Sequence, residues 1–207
     1  MSWLSKSMLG LALGGAVALA ACGNSTSTGG GGAGAAGSTG ATMGSGGDAQ
    51  TPPQGAANVQ AWLAKGDYKS WKCEAAVHAS RDPSPHGFNR ICSNGAIATN
   101  AAGTGAWPKG AAGVKELYAS ASDTTPVGYA VYLKTADDSA AGASWYWYEQ
   151  VPSDSMAPHD ANGIVADGSG TTGPAKDICV GCHVAAGMDA MHTPTPGGRD
   201  FVYTAVP

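Results

Sequence analysis

The strongest constraint on folding is a change of composition near residue 55. From Gly23 to Gly55 the chain is Gly, Ser, Thr and Ala with almost no large side chain. Such a segment cannot bury enough apolar surface to offset its ordering entropy, so it reads as a disordered tether. Folding is left to residues 56–207, about 150 residues, which is the size of one domain.

What precedes the tether reads as an address. Lys6 is followed by a short apolar run, Met8 to Ala20, rich in small residues and too short for a comfortable membrane span. Residues 1–21 therefore read as a secretory signal peptide. The segment ends Leu19-Ala20-Ala21-Cys22, which resembles the lipobox of bacterial lipoproteins. The resemblance implies lipidation of Cys22, a membrane anchor through the N-terminal lipid, and a domain facing the periplasm. Gly23 stands where an Asp would favour inner-membrane retention, so the resemblance points to the outer membrane.

The foldable part has a thin aliphatic core. Leu, Ile, Val and Phe together number 26 in 207 residues, although six Trp and seven Tyr add large apolar surfaces. A disulfide or a buried cofactor is expected to supplement the packing. Charged residues make up 13% of the chain, the net charge is -4, and Lys and Arg are scattered singly. That pattern excludes nucleic-acid binding through a basic footprint.

The five cysteines account for one another. Cys22 takes lipid, Cys179 and Cys182 fall in one motif, and Cys73 and Cys92 remain to pair in an oxidising compartment. Two buried free thiols are the alternative at that pair. The motif is Cys179-Val180-Gly181-Cys182-His183, the CxxCH spacing of c-type haem attachment. Thiols three positions apart on a helical turn reach the two vinyl groups of one macrocycle, and the adjacent imidazole serves as the proximal iron ligand. The expected cofactor is one covalently attached haem c.

The sixth ligand then decides function, because a Met or His there gives electron transfer whereas an open site admits small molecules. Met188, Met191 and His192 follow His183 too closely to cross the ring easily. Met156 and His159, in a Pro-bounded loop, are far enough away. Only 24 residues follow His183, so the haem is appended after another fold rather than opening a small helical cytochrome.

That fold reads as mainly β. Val127, Tyr129, Val131 and Leu133 recur with period two, and Trp145-Tyr146-Trp147-Tyr148 places Trp on one face and Tyr on the other. Ala112 to Ala119 and Asn162 to Ala166 are further strand candidates. A short helix is expected over Ala56 to Lys65, with Val59, Trp62 and Leu63 on one face, and another over Ala175 to Ala186. The expectation is an α+β antiparallel sheet packed over the haem, with a short N-terminal helix and a C-terminal haem-bearing helix.

Several segments in order resemble the cytochrome P-460 family, which includes cytochrome c′-beta. They are Pro85-His86-Gly87-Phe88-Asn89-Arg90, Trp107-Pro108-Lys109-Gly110, Gly113-Val114-Lys115-Glu116-Leu117-Tyr118, the aromatic strand 145–148, Cys179 to His183, and Asp200-Phe201-Val202-Tyr203-Thr204. The resemblance implies a five-coordinate haem with His183 proximal, and often a homodimer. It makes Lys115 the candidate for the covalent bond to the haem edge found in members that oxidise hydroxylamine. Members without that bond bind gases such as nitric oxide.

Arg90 is a candidate partner for a haem propionate or a distal ligand, since a guanidinium suits a carboxylate bidentately. Hydroxylamine oxidation also needs a proton acceptor, for which Asp177, Glu116 and Glu149 are candidates. Electrons would leave singly to a redox partner protein or a quinone-linked acceptor. The chain departs from the family pattern at Lys109, where an acidic residue is common, and in an apparent insertion from Met188 to Arg199.

Overall fold

The structure is a computed structural model and describes residues 51–81, 84–186 and 198–207. The segments expected to be a signal peptide and a tether, with Cys22, lie outside the described residues up to residue 50, as do Met188, Met191 and His192. Among the described residues no helix is long and apolar enough to cross a membrane.

The chain folds as one antiparallel sheet with a helical layer on each face. Its strands are β1 (Lys72–Cys73), β2 (His78–Ala79), β3 (Phe88–Ser93), β4 (Ala112–Tyr118), β5 (Gly128–Lys134), β6 (Trp145–Gln150) and β7 (Ile164–Ser169). The order is β1-β3-β4-β5-β6-β7, with β2 also paired to β3. From β3 to β7 the sheet is a meander in which each strand pairs with the next.

Alternation along the strands divides the side chains between two cores. The row Cys92, Val114, Val131 and Tyr148 is in register across four strands. Its face packs on α1 (Ala56–Lys65), which buries Val59, Trp62 and Leu63 at the spacing of a single helix face. Fully burying an aliphatic side chain such as Leu63 stabilises the fold by roughly 1.5–3 kcal/mol. Gly66, at φ 76°, ends α1 in the left-handed conformation and donates its N–H to the Leu63 carbonyl. The start of α1 lacks a cap of its own. Asp167 of β7 accepts the Ala56 N–H at 2.8 Å, and the Tyr146 hydroxyl accepts the Gly55 N–H at 2.9 Å.

The opposite face carries Trp145 and Trp147, with Tyr132 across from Trp147. It packs on a helical stretch composed of a π-turn (Ala175–Val180), a short α-turn (Gly181–His183) and a 3-10 turn (Val184–Ala186). Thus Trp faces one core and Tyr146 and Tyr148 the other, as their alternation requires.

Some details differ from the expectation, besides β4 ending at Tyr118 rather than Ala119. Val127 precedes β5 and is 45% exposed, although its N–H still donates to the Leu117 carbonyl at 2.8 Å. The last strand begins at Ile164 rather than Asn162, since Asp160 turns back the chain by accepting the N–H groups of Asn162 and Ile164. The helical stretch at Ala175 opens as a π-turn instead of an α-helix.

Cys73 and Cys92 form a disulfide between register partners of β1 and β3. In the chain-entropy account a loop of this length contributes about 3 kcal/mol. It also fixes the ends of the segment 74–91, which folds back along β3 through β2.

A buried ion pair ties the C-terminal segment to the sheet. Lys134, fully buried at the end of β5, places Nζ 2.6 Å from Asp200 Oδ2 and donates to Ser139 Oγ at 2.6 Å. Asp200 also accepts the Trp107 N–H at 2.7 Å and the Ser139 hydroxyl. Its neighbour Phe201 shares its left-handed backbone, at φ 66° against 43° for Asp200. Such non-glycine conformations cost about 1–3 kcal/mol each and persist only where surrounding contacts over-determine them.

Candidate functional site

The helical stretch lies unusually close to the sheet. A Cβ on Gly170 would stand 2.2 Å from the Gly142 carbonyl oxygen and 2.6 Å from Val180 Cγ2, so glycine at 170 is what lets Val180 seat there. Val180 lies between Cys179 and Cys182 in the chain, and its seating fixes the turn that carries them. Both thiols are free, with Cys179 buried and Cys182 partly exposed. Burial pushes the Cys179 thiol up to about 12, with the Glu149 carboxylate acting in the same direction.

His183 is oriented by the strained C-terminal turn. Its Nδ1 lies 2.7 Å from the Phe201 carbonyl oxygen. A carbonyl can only accept, so Nδ1 carries the proton and Nε2 keeps its lone pair for a ligand role. The ring sits between Trp147, at 4.6 Å between centroids, and Tyr203, at 5.2 Å. Tyr203 in turn donates its hydroxyl to the Cys182 carbonyl at 2.7 Å. Burial lowers the imidazole to about 3, which keeps it neutral.

Cys179, Cys182 and His183 all line one cavity of about 410 Å³. Its wall is mostly apolar, with Leu117, Val151, Val165 and Ile178 among the contributors, and its polar members include Lys115, Glu149 and His86. Period two alone leaves open which face of β4 carries Lys115 inward; the register answers it. Lys115 pairs with Ala130 of β5, which pairs with Glu149 of β6, so all three share the cavity face. The small Ala130 leaves space between the two ionisable side chains. Burial lowers the Lys115 ammonium to about 8 against the opposing pull of Glu149, and its Nζ lies 3.4 Å from Ser84 Oγ.

The other candidates are placed elsewhere. Arg90 does not line the cavity, because its strand position alternates with Ile91, the partner of Lys115. Its Nε donates to Glu116 Oε2 at 2.7 Å. Glu116 is 1% exposed and also accepts the hydroxyls of Tyr68 at 2.7 Å and Tyr118 at 2.8 Å. These donors hold its carboxyl below the usual range despite burial. Arg90 and Glu116 thus join β3, β4 and the turn after α1, which is a structural role on the α1 side. Asp177 is exposed on the π-turn and does not line the cavity. Of the three candidate proton acceptors, only Glu149 does.

Met156 is 98% exposed and His159 holds its Nδ1 2.7 Å from the Asp160 carbonyl; neither lines the cavity. Their loop does contribute Ser155, Ala157 and Pro158 to the wall.

His86 is the functional candidate that reading for chemistry-bearing motifs overlooks, since it lies in a Pro-His-Gly turn without periodicity. Its Nδ1 is 3.3 Å from Glu149 Oε1, and each side chain is 12% exposed.

The residues present fit a haem c. Two free thiols one turn apart and a neutral imidazole with Nε2 available open onto a largely apolar cavity. Two of the lining residues, Tyr132 and Trp147, bury a hydroxyl and an indole N–H without a partner. Among the described residues no three His, Cys, Asp or Glu side chains gather as a site for a bare metal ion. Comparison with protein-family models, with curated proteins and with solved structures found no match.

Proposed function

We propose that the chain is an exported, lipid-anchored c-type haem protein of the cytochrome P-460 type, acting on or binding small nitrogen species such as hydroxylamine or nitric oxide. The observation that carries the reading is the convergence of Cys179, Cys182, His183, Lys115 and Glu149 on one cavity. Cys179 and Cys182 would hold haem by thioether bonds and His183 would be the proximal ligand. When bound, the haem supplies an iron able to take a small nitrogen ligand and to exchange electrons one at a time with an external acceptor.

The chain's own residues supply the rest. The Phe201 carbonyl fixes the His183 tautomer, and hydrogen bonding at the far nitrogen raises the basicity of the ligating one. The apolar wall keeps water away from the reacting ligand. Glu149 accepts the proton released as an N–H bond of the substrate breaks, while Lys115 is the amine available to bond the haem edge. Met156, turned to solvent, argues against a closed sixth position. A gas-binding module is the second reading, favoured by the predominance of apolar lining, which suits a small uncharged ligand.

The test is the absorption spectrum of the reduced, haem-matured protein beside a Lys115→Ala variant. A five-coordinate spectrum is expected in both. A red shift of the main band that is present in the parent and lost in the variant assigns the Lys115 bond and the oxidase reading. Ordinary five-coordinate bands in both assign gas binding. Sharp six-coordinate bands in both would overturn the open-site reading in favour of electron transfer.

A further inference from the structure

We infer that His86 is a positioning residue for Glu149, holding one carboxylate oxygen so that the other is presented to the cavity. The inference rests on the proposed role of Glu149 as proton acceptor. It comes from the way one segment reaches both ionisable groups of the cavity. Residues 84–86 lie between β2 and β3, within the longer loop that the Cys73–Cys92 disulfide closes. From this segment Ser84 Oγ reaches Lys115 Nζ at 3.4 Å, and His86 Nδ1 reaches Glu149 Oε1 at 3.3 Å. Pro85 and His86 both line the cavity.

A carboxylate near the end of a strand, facing a cavity, needs such a partner. Glu149 projects from β6 beside Ala130, whose methyl side chain offers it no hydrogen bond. Without His86, rotation about its terminal bonds would let the carboxyl swing toward the Lys115 ammonium or toward solvent. With Nδ1 held 3.3 Å from Oε1, that oxygen is fixed and Oε2 remains for a substrate N–H. His86 thus acts through Glu149 without touching the reacting atoms.

The test compares His86→Ala and His86→Asn in the haem-loaded protein. An asparagine amide puts an N–H donor where Nδ1 stands, two bonds from Cβ, whereas alanine removes it. For hydroxylamine oxidation with an artificial acceptor, His86→Ala is expected to lower kcat by about 10–100-fold, the usual cost of losing an outer hydrogen-bond partner. KM should change little, and His86→Asn should restore most of the rate. Equal loss in both variants, or parent kcat in His86→Ala, would overturn the inference. A second readout does not depend on turnover. In the reduced, carbon monoxide-saturated protein, or in the haem-free chain, Glu149→Gln should shift the His86 ring nitrogen resonances. Unshifted resonances would show that the pair does not form, and so contradict the inference even if the protein proves to be a gas-binding module. Absence of hydroxylamine turnover in the parent, with the shift present, would count against the oxidase reading alone.

Discussion

Glu149→Gln is expected, on the proposed function, to lower hydroxylamine oxidation by about 10²–10⁴-fold, the usual range for a positioned general base, with no loss of the proposed haem. The carboxylate is the one candidate acceptor of the three that lines the cavity, and it is held beside the Lys115 amine by cross-strand register. Glutamine preserves the shape and the ability to accept a hydrogen bond from His86, yet it cannot take a proton at neutral pH. Loss of rate with an unchanged haem spectrum therefore separates proton acceptance from packing. Glu116→Gln makes the contrast, because Glu116 sits on the opposite face among Arg90, Tyr68 and Tyr118. It should reduce stability and leave the rate constant of the folded protein alone. Full turnover in Glu149→Gln would remove Glu149 from the mechanism.

Asp200→Ala is expected to destabilise the fold by about 3–5 kcal/mol, the usual cost of leaving one member of a buried pair alone. Lys134 Nζ would be buried without its counter-charge, and the Trp107 N–H would lose its acceptor. The consequence reaches the site through the backbone. Asp200 anchors a turn with two left-handed non-glycine residues, and the second, Phe201, supplies the carbonyl that orients His183. Once the anchor is lost the turn can relax, so the variant should also show a perturbed proximal ligand in its spectrum. Denaturant unfolding measures the first effect. A loss below about 1 kcal/mol, within the range of an exposed ion pair, would contradict the account.

Much of this arrangement is legible in the sequence where a period meets a composition. The alternation of Trp145, Tyr146, Trp147 and Tyr148 already divides the two cores, and extending it by one step puts Glu149 on the Trp face. Val59, Trp62 and Leu63 mark the buried face of α1 by spacing alone. Cysteine counting leaves Cys73 and Cys92 either paired or as two buried thiols, and β1 and β3 bring them into register as a disulfide.

Long-range partners resist such reading. Nothing local in Arg90 reveals that Glu116 claims it, because strand alternation shows opposition between faces but not which face meets the cavity. The Lys134–Asp200 pair joins residues 66 positions apart, and a lone lysine at a strand end ordinarily reads as solvated. His86 depends on a turn whose path is set by the disulfide and by β2 pairing, neither of which leaves a periodic trace. The Phe201 carbonyl carries no side-chain signal at all.

The central claim is that Cys179, Cys182 and His183 hold a haem in the cavity on the Trp face of the sheet. Its most direct test is the covalent haem content of the protein, exported from cells that attach c-type haem, compared with a Cys179→Ala/Cys182→Ala double variant. The account predicts one haem per chain that survives denaturation in the parent and none in the variant. A parent chain that is folded, exported and free of covalent haem in such cells would contradict it.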